Sequence, residues 1–236
     1  MLSARNLNID QRLRDITLEA RAGEHIAVLG PNGAGKSTLL AALGGLLPGK
    51  GTIAWSGQEL SRIPFLQRGR MLSWLGQESQ AEFAFPVRDV VAQGRHAWGD
   101  DDSRVDEAMA TLDITHLASR PITQLSGGER RRVFLARALA TGAPIQLWDE
   151  PASSLDVRHA LEVYRLAQRL AEGGSTLLVS LHDIRAAYRF SRVLVLDRGV
   201  LVGDGPPHEV LTAALLREVF RVEAQFVTSL VPELPQ

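Results

Sequence analysis

The chain has 236 residues, enough for one large domain or a core with a small satellite, and its 45% hydrophobic and 22% charged residues are usual for a soluble globular protein. A formal net charge of -1 argues against a general binder of nucleic acid or anionic membrane. Without cysteine there is no disulfide, thiolate zinc site or thiol catalysis. Polar residues interrupt the start, Met1-Leu2-Ser3-Ala4-Arg5-Asn6, so it does not read as a signal peptide. The most apolar run, residues 39–47, is far short of the ~20 that span a bilayer, so another chain would supply any membrane part.

In chain order, residues 2–25 and 50–57 read as short strands forming a small antiparallel piece. Residues 25–29 form an apolar run that ends in a glycine-rich turn, which predicts a buried strand, and residues 37–47 predict a helix opening from that turn. Residues from about 80 to 140 read as largely helical, with Asp100-Asp101-Asp102-Ser103 as a loop that caps the next helix. Further strands are expected at 144–148, 176–181 and 193–196, with helices at 130–140 and 160–172. Strands alternating with helices predict an α/β fold with a mainly parallel sheet.

Gly30-Pro31-Asn32-Gly33-Ala34-Gly35-Lys36-Ser37 fits the phosphate-loop pattern G-x-x-x-x-G-K-[ST], and Thr38 follows it. Glycines let the backbone wrap an anion, and successive N–H groups with the next helix's N-terminus point at phosphates. Lys36 would meet the β- and γ-phosphates of ATP, and Ser37 would ligate Mg²⁺. Asp149 and Glu150 end a strand where α/β sheets bind ligands. Asp149 is read as a second Mg²⁺ contact and Glu150 as the group that polarises the attacking water. Gln146, in that strand, stands where an aliphatic residue is expected.

Leu125-Ser126-Gly127-Gly128-Glu129 precedes a helix, and its N–H groups and hydroxyl read as an anion site with no anion nearby in the sequence. Lying between a phosphate loop and an Asp-Glu strand, this segment resembles the signature of ABC transporter nucleotide-binding domains. Gln77 resembles the Q-loop glutamine, which contacts Mg²⁺ and the attacking water. Ser154-Leu155-Asp156 is similar to the D-loop, and His182 to the switch histidine on the γ-phosphate. The resemblance covers about residues 7–227. It implies a P-loop core over about 1–79 and 141–236, including the antiparallel piece, with a helical subdomain over about 80–140.

The resemblance also implies a head-to-tail dimer, with each ATP held between one copy's phosphate loop and the other copy's Ser126, Gly127, Gly128 and Glu129, near Asp156. Three departures stand out. No aromatic for stacking adenine occurs in 6–18, where Arg12 is the candidate. Ala152-Ser153 replaces the commoner Thr-Ser. Arg130-Arg131-Arg132 has an arginine where glutamine often follows the signature, and the triplet reads as a solvated helix face. About 90 residues without sustained heptads separate the loop from the signature, unlike DNA-repair relatives, and the single cassette is unlike tandem translation factors. Sugar-type importers usually continue well beyond the counterpart of Val227, so that class is not the one expected. Phe83-Ala84-Phe85-Pro86-Val87-Arg88-Asp89-Val90-Val91 with Gly94-Arg95, and Gly203-Asp204-Gly205-Pro206-Pro207-His208-Glu209-Val210-Leu211, are similar to the iron-siderophore, haem and cobalamin importer ATPases. The short N-terminus, with Gly49-Lys50-Gly51-Thr52-Ile53 leading to Ser56-Gly57-Gln58, leans toward cobalamin. Expected partners are a polytopic permease dimer and, indirectly, a solute-binding protein, with no nucleic acid, at the cytoplasmic face of a bacterial inner membrane. An exporter motor or a non-transport ABC ATPase is the alternative.

Overall fold

Period-two burial builds the centre of this computed structural model, which describes residues 1–77, 83–99 and 101–223. The chain opens with β1 (Leu2–Ile9) and β2 (Leu13–Ala20), then β3 (His25–Leu29) runs into α1 (Lys36–Leu43). Next come β4 (Lys50–Trp55), β5 (Gln58–Glu59), α2 (Phe65–Met71) and β6 (Leu72–Leu75). Three helices follow, α3 (Val87–Ala92), α4 (Val105–Thr111) and α5 (Gly127–Ala140). The chain then returns through β7 (Ile145–Asp149), α6 (Val157–Glu172), β8 (Thr176–Ser180), β9 (Arg192–Asp197) and β10 (Val200–Gly205).

Two sheets result. One is antiparallel in the order β2-β1-β4-β5; the other runs β10-β9-β3-β8-β7-β6 and is parallel except for its β10 edge. Alternate side chains of the large sheet enter two different cores. Ala27, Leu29, Trp148, Leu177, Val179, Val193 and Val195 join α3, α4, α5 and α6 on one face. Ile26, Val28, Leu147, Leu178, Leu194 and Leu196 meet α1 and the antiparallel sheet on the other. Residues buried on both faces explain why these strands read as continuous apolar runs. The α/β architecture expected from the sequence is therefore present.

Several expectations need correction. The helix read over 37–47 stops at Leu43, because Gly44 and Gly45 close it: Gly45 has φ 71°, and Leu46 N donates to Ala41 O at 2.9 Å. In the acidic run, Asp100 lies outside the described residues, as do 78–82 and the end of the resemblance beyond 223. Asp101 does not cap α4, whose N-cap is Arg104 without a side-chain bond. The Asp101 carboxylate is held down at about 2 by the Ser103 side chain first, then by Ser103 N, which donates to it at 2.9 Å, and by the buried Arg95. Gln146 has a local role: Nε2 donates to Ala143 O at 2.8 Å and Oε1 accepts from Trp148 Nε1 at 3.1 Å. It satisfies an indole N–H inside the core.

Candidate functional site

The carboxyl ends of four neighbouring strands, β3, β8, β7 and β6, deliver the phosphate loop, His182, Glu150 and Gln77 to one edge of the sheet. Glycine is required in the loop by geometry. Gly30 has φ 153°, and a Cβ there would lie 2.3 Å from Leu196 O; Gly35 has φ 105° and faces Leu13 and Arg12 O. Lys36 folds back into the loop, with Nζ donating to Gly30 O at 2.8 Å and to Pro31 O at 3.3 Å. Burial pushes its ammonium below the ordinary value, while Glu150 and then Asp149 pull it back up.

Lys36, Ser37 and Thr38 line a cavity of about 690 Å³ with Asn32, Gly33, Gly35, Gln77, Glu150 and His182. Two hairpin turns complete its rim. Gln11 and Arg12 come from the β1–β2 turn and Arg198 from the β9–β10 turn, and among the described residues no Phe, Tyr or Trp lines it. The second turn, Arg198-Gly199, has φ 44° and 78°, suited to a tight hairpin, and Gly199 N donates to Ala34 O at 3.0 Å. Arg12 thus stands beside the phosphate loop, where the sequence left a place for it.

Asp149 and Glu150 are both buried, and both are fixed by Ser180 on the adjacent β8. Ser180 Oγ donates to Asp149 Oδ1 and accepts from Glu150 N at 2.8 Å. Strand register makes this bridge, because Asp149 and Ser180 are paired partners. Glu150 adopts φ 52°, a conformation costly for a non-glycine residue. Its Oε1 lies 2.7 Å from His182 Nε2, and Oε2 accepts from Gln77 Nε2 at 3.1 Å. The structure thus brings Gln77, Glu150 and His182 together over the cavity.

It does not bring Ser126, Gly127, Gly128, Glu129 or Asp156 there; none of them lines the cavity. The N-terminus of α5 is also not bare, as the sequence reading had it. Ser126 and Glu129 form a reciprocal capping box, with Glu129 Oε2 accepting from Ser126 N at 2.8 Å and Ser126 Oγ at 2.7 Å. These bonds hold the Glu129 carboxyl below its usual range. Asp156 caps α6, accepting from both the backbone N and Nδ1 of His159 at 2.9 Å. Ser180 carried no local sequence signal.

The arginine triplet is not a solvated face. Arg130 donates to Leu125 O and Arg132 to Leu112 O and Asp113 O, while Arg131 is 3% exposed and reaches backbone carbonyls around Gly76 and Glu150. Consecutive helical residues lie about 100° apart, so three in a row cannot share one exposed face.

A family profile described as ABC transporter matches residues 13–153. The hemin import ATP-binding protein HmuV of Thermobifida fusca is 42% identical, over 97% of this chain and 84% of its own. The cobalamin import ATP-binding protein BtuD of Halobacterium salinarum is 40% identical, over 88% of this chain and 54% of its own. An inward-facing structure of a putative metal-chelate type ABC transporter superposes with a TM-score of 0.79 at 29% identity, over 95% of this chain and 92% of that one.

Proposed function

The chain belongs to the ABC transporter family, and from that premise we propose that it is the ATP-hydrolysing subunit of an importer for a chelated metal of the haem or cobalamin kind. The observation that carries the reading is the Glu150 carboxylate, held between Gln77 and His182 on a cavity that also contains Lys36 and Ser37. Relatives named for hemin and for cobalamin import match it at 42% and 40% identity, so the substrate class proposed is the metal-centred tetrapyrrole.

In the proposed mechanism the phosphate loop presents its N–H groups to ATP. Lys36 exchanges its bonds to Gly30 O and Pro31 O for the β- and γ-phosphates. Ser37, Asp149 and Gln77 offer only oxygen donors, and few of them. That suits Mg²⁺, which takes one or two carboxylates and completes its shell with phosphate and water; when bound it would neutralise charge developing between the phosphates. Glu150 accepts the proton of the water that attacks the γ-phosphorus as the bond to ADP breaks. Gln77 and His182 hold Glu150, and His182 reaches the γ-phosphate. The signature residues Ser126, Gly127 and Gly128 act on the nucleotide of a second, head-to-tail copy, with Glu129 fixing the cap and Asp156 nearby.

No helix among the described residues is long and apolar enough to cross a membrane. Attachment is proposed through a groove of about 590 Å³ beside α2 and α5, rimmed by Phe65, Leu66 and Leu46. Phe65 is 87% exposed there, which suits an apolar segment of a polytopic permease dimer at the cytoplasmic face of the inner membrane. A solute-binding protein would deliver cargo to that permease.

The test is Glu150→Gln. ATP binding should persist while hydrolysis falls roughly 10²–10⁴-fold. Lys36→Ala should instead lose nucleotide affinity. Near-normal turnover by Glu150→Gln removes Glu150 from this role.

A further inference from the structure

Arg131 is a buried cation, and its partners include backbone carbonyls of two separate loops. Nη1 donates to Gly76 O at 2.7 Å and Gln77 O at 3.4 Å; Nη2 donates to Asp149 O and to Glu150 O at 2.8 Å; Nε donates to Pro151 O at 3.3 Å. One guanidinium therefore joins the turn that carries Glu150 to the loop that carries Gln77, and its stem belongs to α5. Glu150 needs such restraint because its φ of 52° is unfavourable for a side chain with a Cβ. Its N–H is tied to Ser180 Oγ and its C=O to Arg131, so the backbone is held on both sides of the carboxylate.

We propose that Arg131 is a positioning residue for ATP hydrolysis, acting by locking the Glu150 turn and the Gln77 loop into one geometry. The planar fork suits the task, since its donors point in fixed directions and span both loops. Lysine offers three donors from a single atom and cannot bridge them in the same way. Arg131 does not line the cavity that holds Lys36 and Glu150; its effect passes through Glu150 and Gln77. This inference rests on the role proposed above for Glu150.

The experiment uses the full-length chain, with ATP affinity measured by titration and hydrolysis by single turnover at saturating ATP. Arg131→Gln and Arg131→Lys are each made alone and in the Glu150→Gln background. Both single variants should bind ATP within about 3-fold of the parent and hydrolyse it roughly 10²-fold and 10-fold more slowly, because small misplacements of a reacting group cost about that much. In the Glu150→Gln background the further loss should shrink below about 3-fold, since a residue acting through Glu150 has nothing left to position. Arg131→Lys keeps the buried charge and serves should Arg131→Gln fail to fold. Parental turnover by both variants overturns the proposal, as does a penalty that persists undiminished without Glu150. Full turnover by Glu150→Gln alone overturns the underlying reading instead, so the two failures are distinguishable.

Discussion

Ser180→Ala removes one oxygen that serves two groups in the centre of the sheet. Ser180 is fully buried, and its hydroxyl is the acceptor for Glu150 N and a donor to the Asp149 carboxylate. Deleting it leaves a buried N–H without that acceptor, a cost of about 1–3 kcal/mol, and removes a bond to a charged group worth about 1.5–3 kcal/mol. The two overlap, because the loosened turn can recover part of each, so the expected loss is about 2–4 kcal/mol. For a chain of this length each kcal/mol lowers the melting temperature by about 2–4 °C, giving a drop of about 5–15 °C by calorimetry. Glu150 should also relax from its positive φ and drift from Gln77 and His182, lowering kcat by roughly 10²-fold. Ser180→Cys, nearly the same size with a weaker donor and acceptor, should fall between. A melting temperature within about 2 °C of the parent, with turnover unchanged, would refute the bridge as the support of this turn.

Gln146→Leu should cost about 1–3 kcal/mol, read by denaturant titration, because it orphans Trp148 Nε1 inside the core; an unchanged midpoint would mean that the indole finds another acceptor. Ser126→Ala should cost about 1 kcal/mol at pH 7 through loss of the cap. Glu129 has a depressed folded-state pKa, so the cap's ionic part is fully present above the ordinary value of 4.5 and is lost as pH falls through the folded value. The gap between parent and variant should therefore narrow in acid; a gap that widens contradicts the assignment. Phe65→Glu should leave ATP hydrolysis by the isolated chain intact and abolish co-purification with a permease; undiminished co-purification would move the docking site elsewhere.

The sequence was most informative where the physics is local. Strands with apolar residues on both faces, and a glycine loop feeding a helix, are set by a few adjacent residues. The expected end of α1 at 47 overshoots Leu43, although glycine after an apolar helix is a stop signal that Gly44 carries locally. The capping box is written locally too, because Ser126 and Glu129 stand at S-x-x-E spacing, and the carboxylate that fills the helix end lies three residues away. Other features depend on distant parts of the chain. Nothing near Ser180 in sequence announces that register will set it beside Asp149. Arg131 looks like its neighbours Arg130 and Arg132 until helix rotation turns it toward two loops distant in sequence. Gln146 acquires a reason only when its strand turns it to the same side as Trp148.

The two signature glycines test the proposed sharing of ATP between two copies. Gly127 and Gly128 open α5, and neither has a positive φ. A Cβ on Gly127 would meet nothing within 4 Å, and one on Gly128 would make only ordinary contact, 3.5 Å from Ser154 O. Folding of this chain therefore gives no reason for glycine at either place, although glycine in a helix costs up to about 0.5–1 kcal/mol relative to alanine. Gly30 differs, since its own backbone conformation and Leu196 O demand it. What the signature glycines do permit is the close approach of another body to the first turn of α5, and the head-to-tail second copy proposed above would be such a body. Gly127→Ala separates the two requirements. Thermal stability of the isolated chain should hold or rise slightly, while ATP-dependent dimerisation, followed by light scattering with Glu150→Gln to trap the bound state, should fall steeply. Lower stability with undiminished dimerisation would place the need for glycine inside the chain after all.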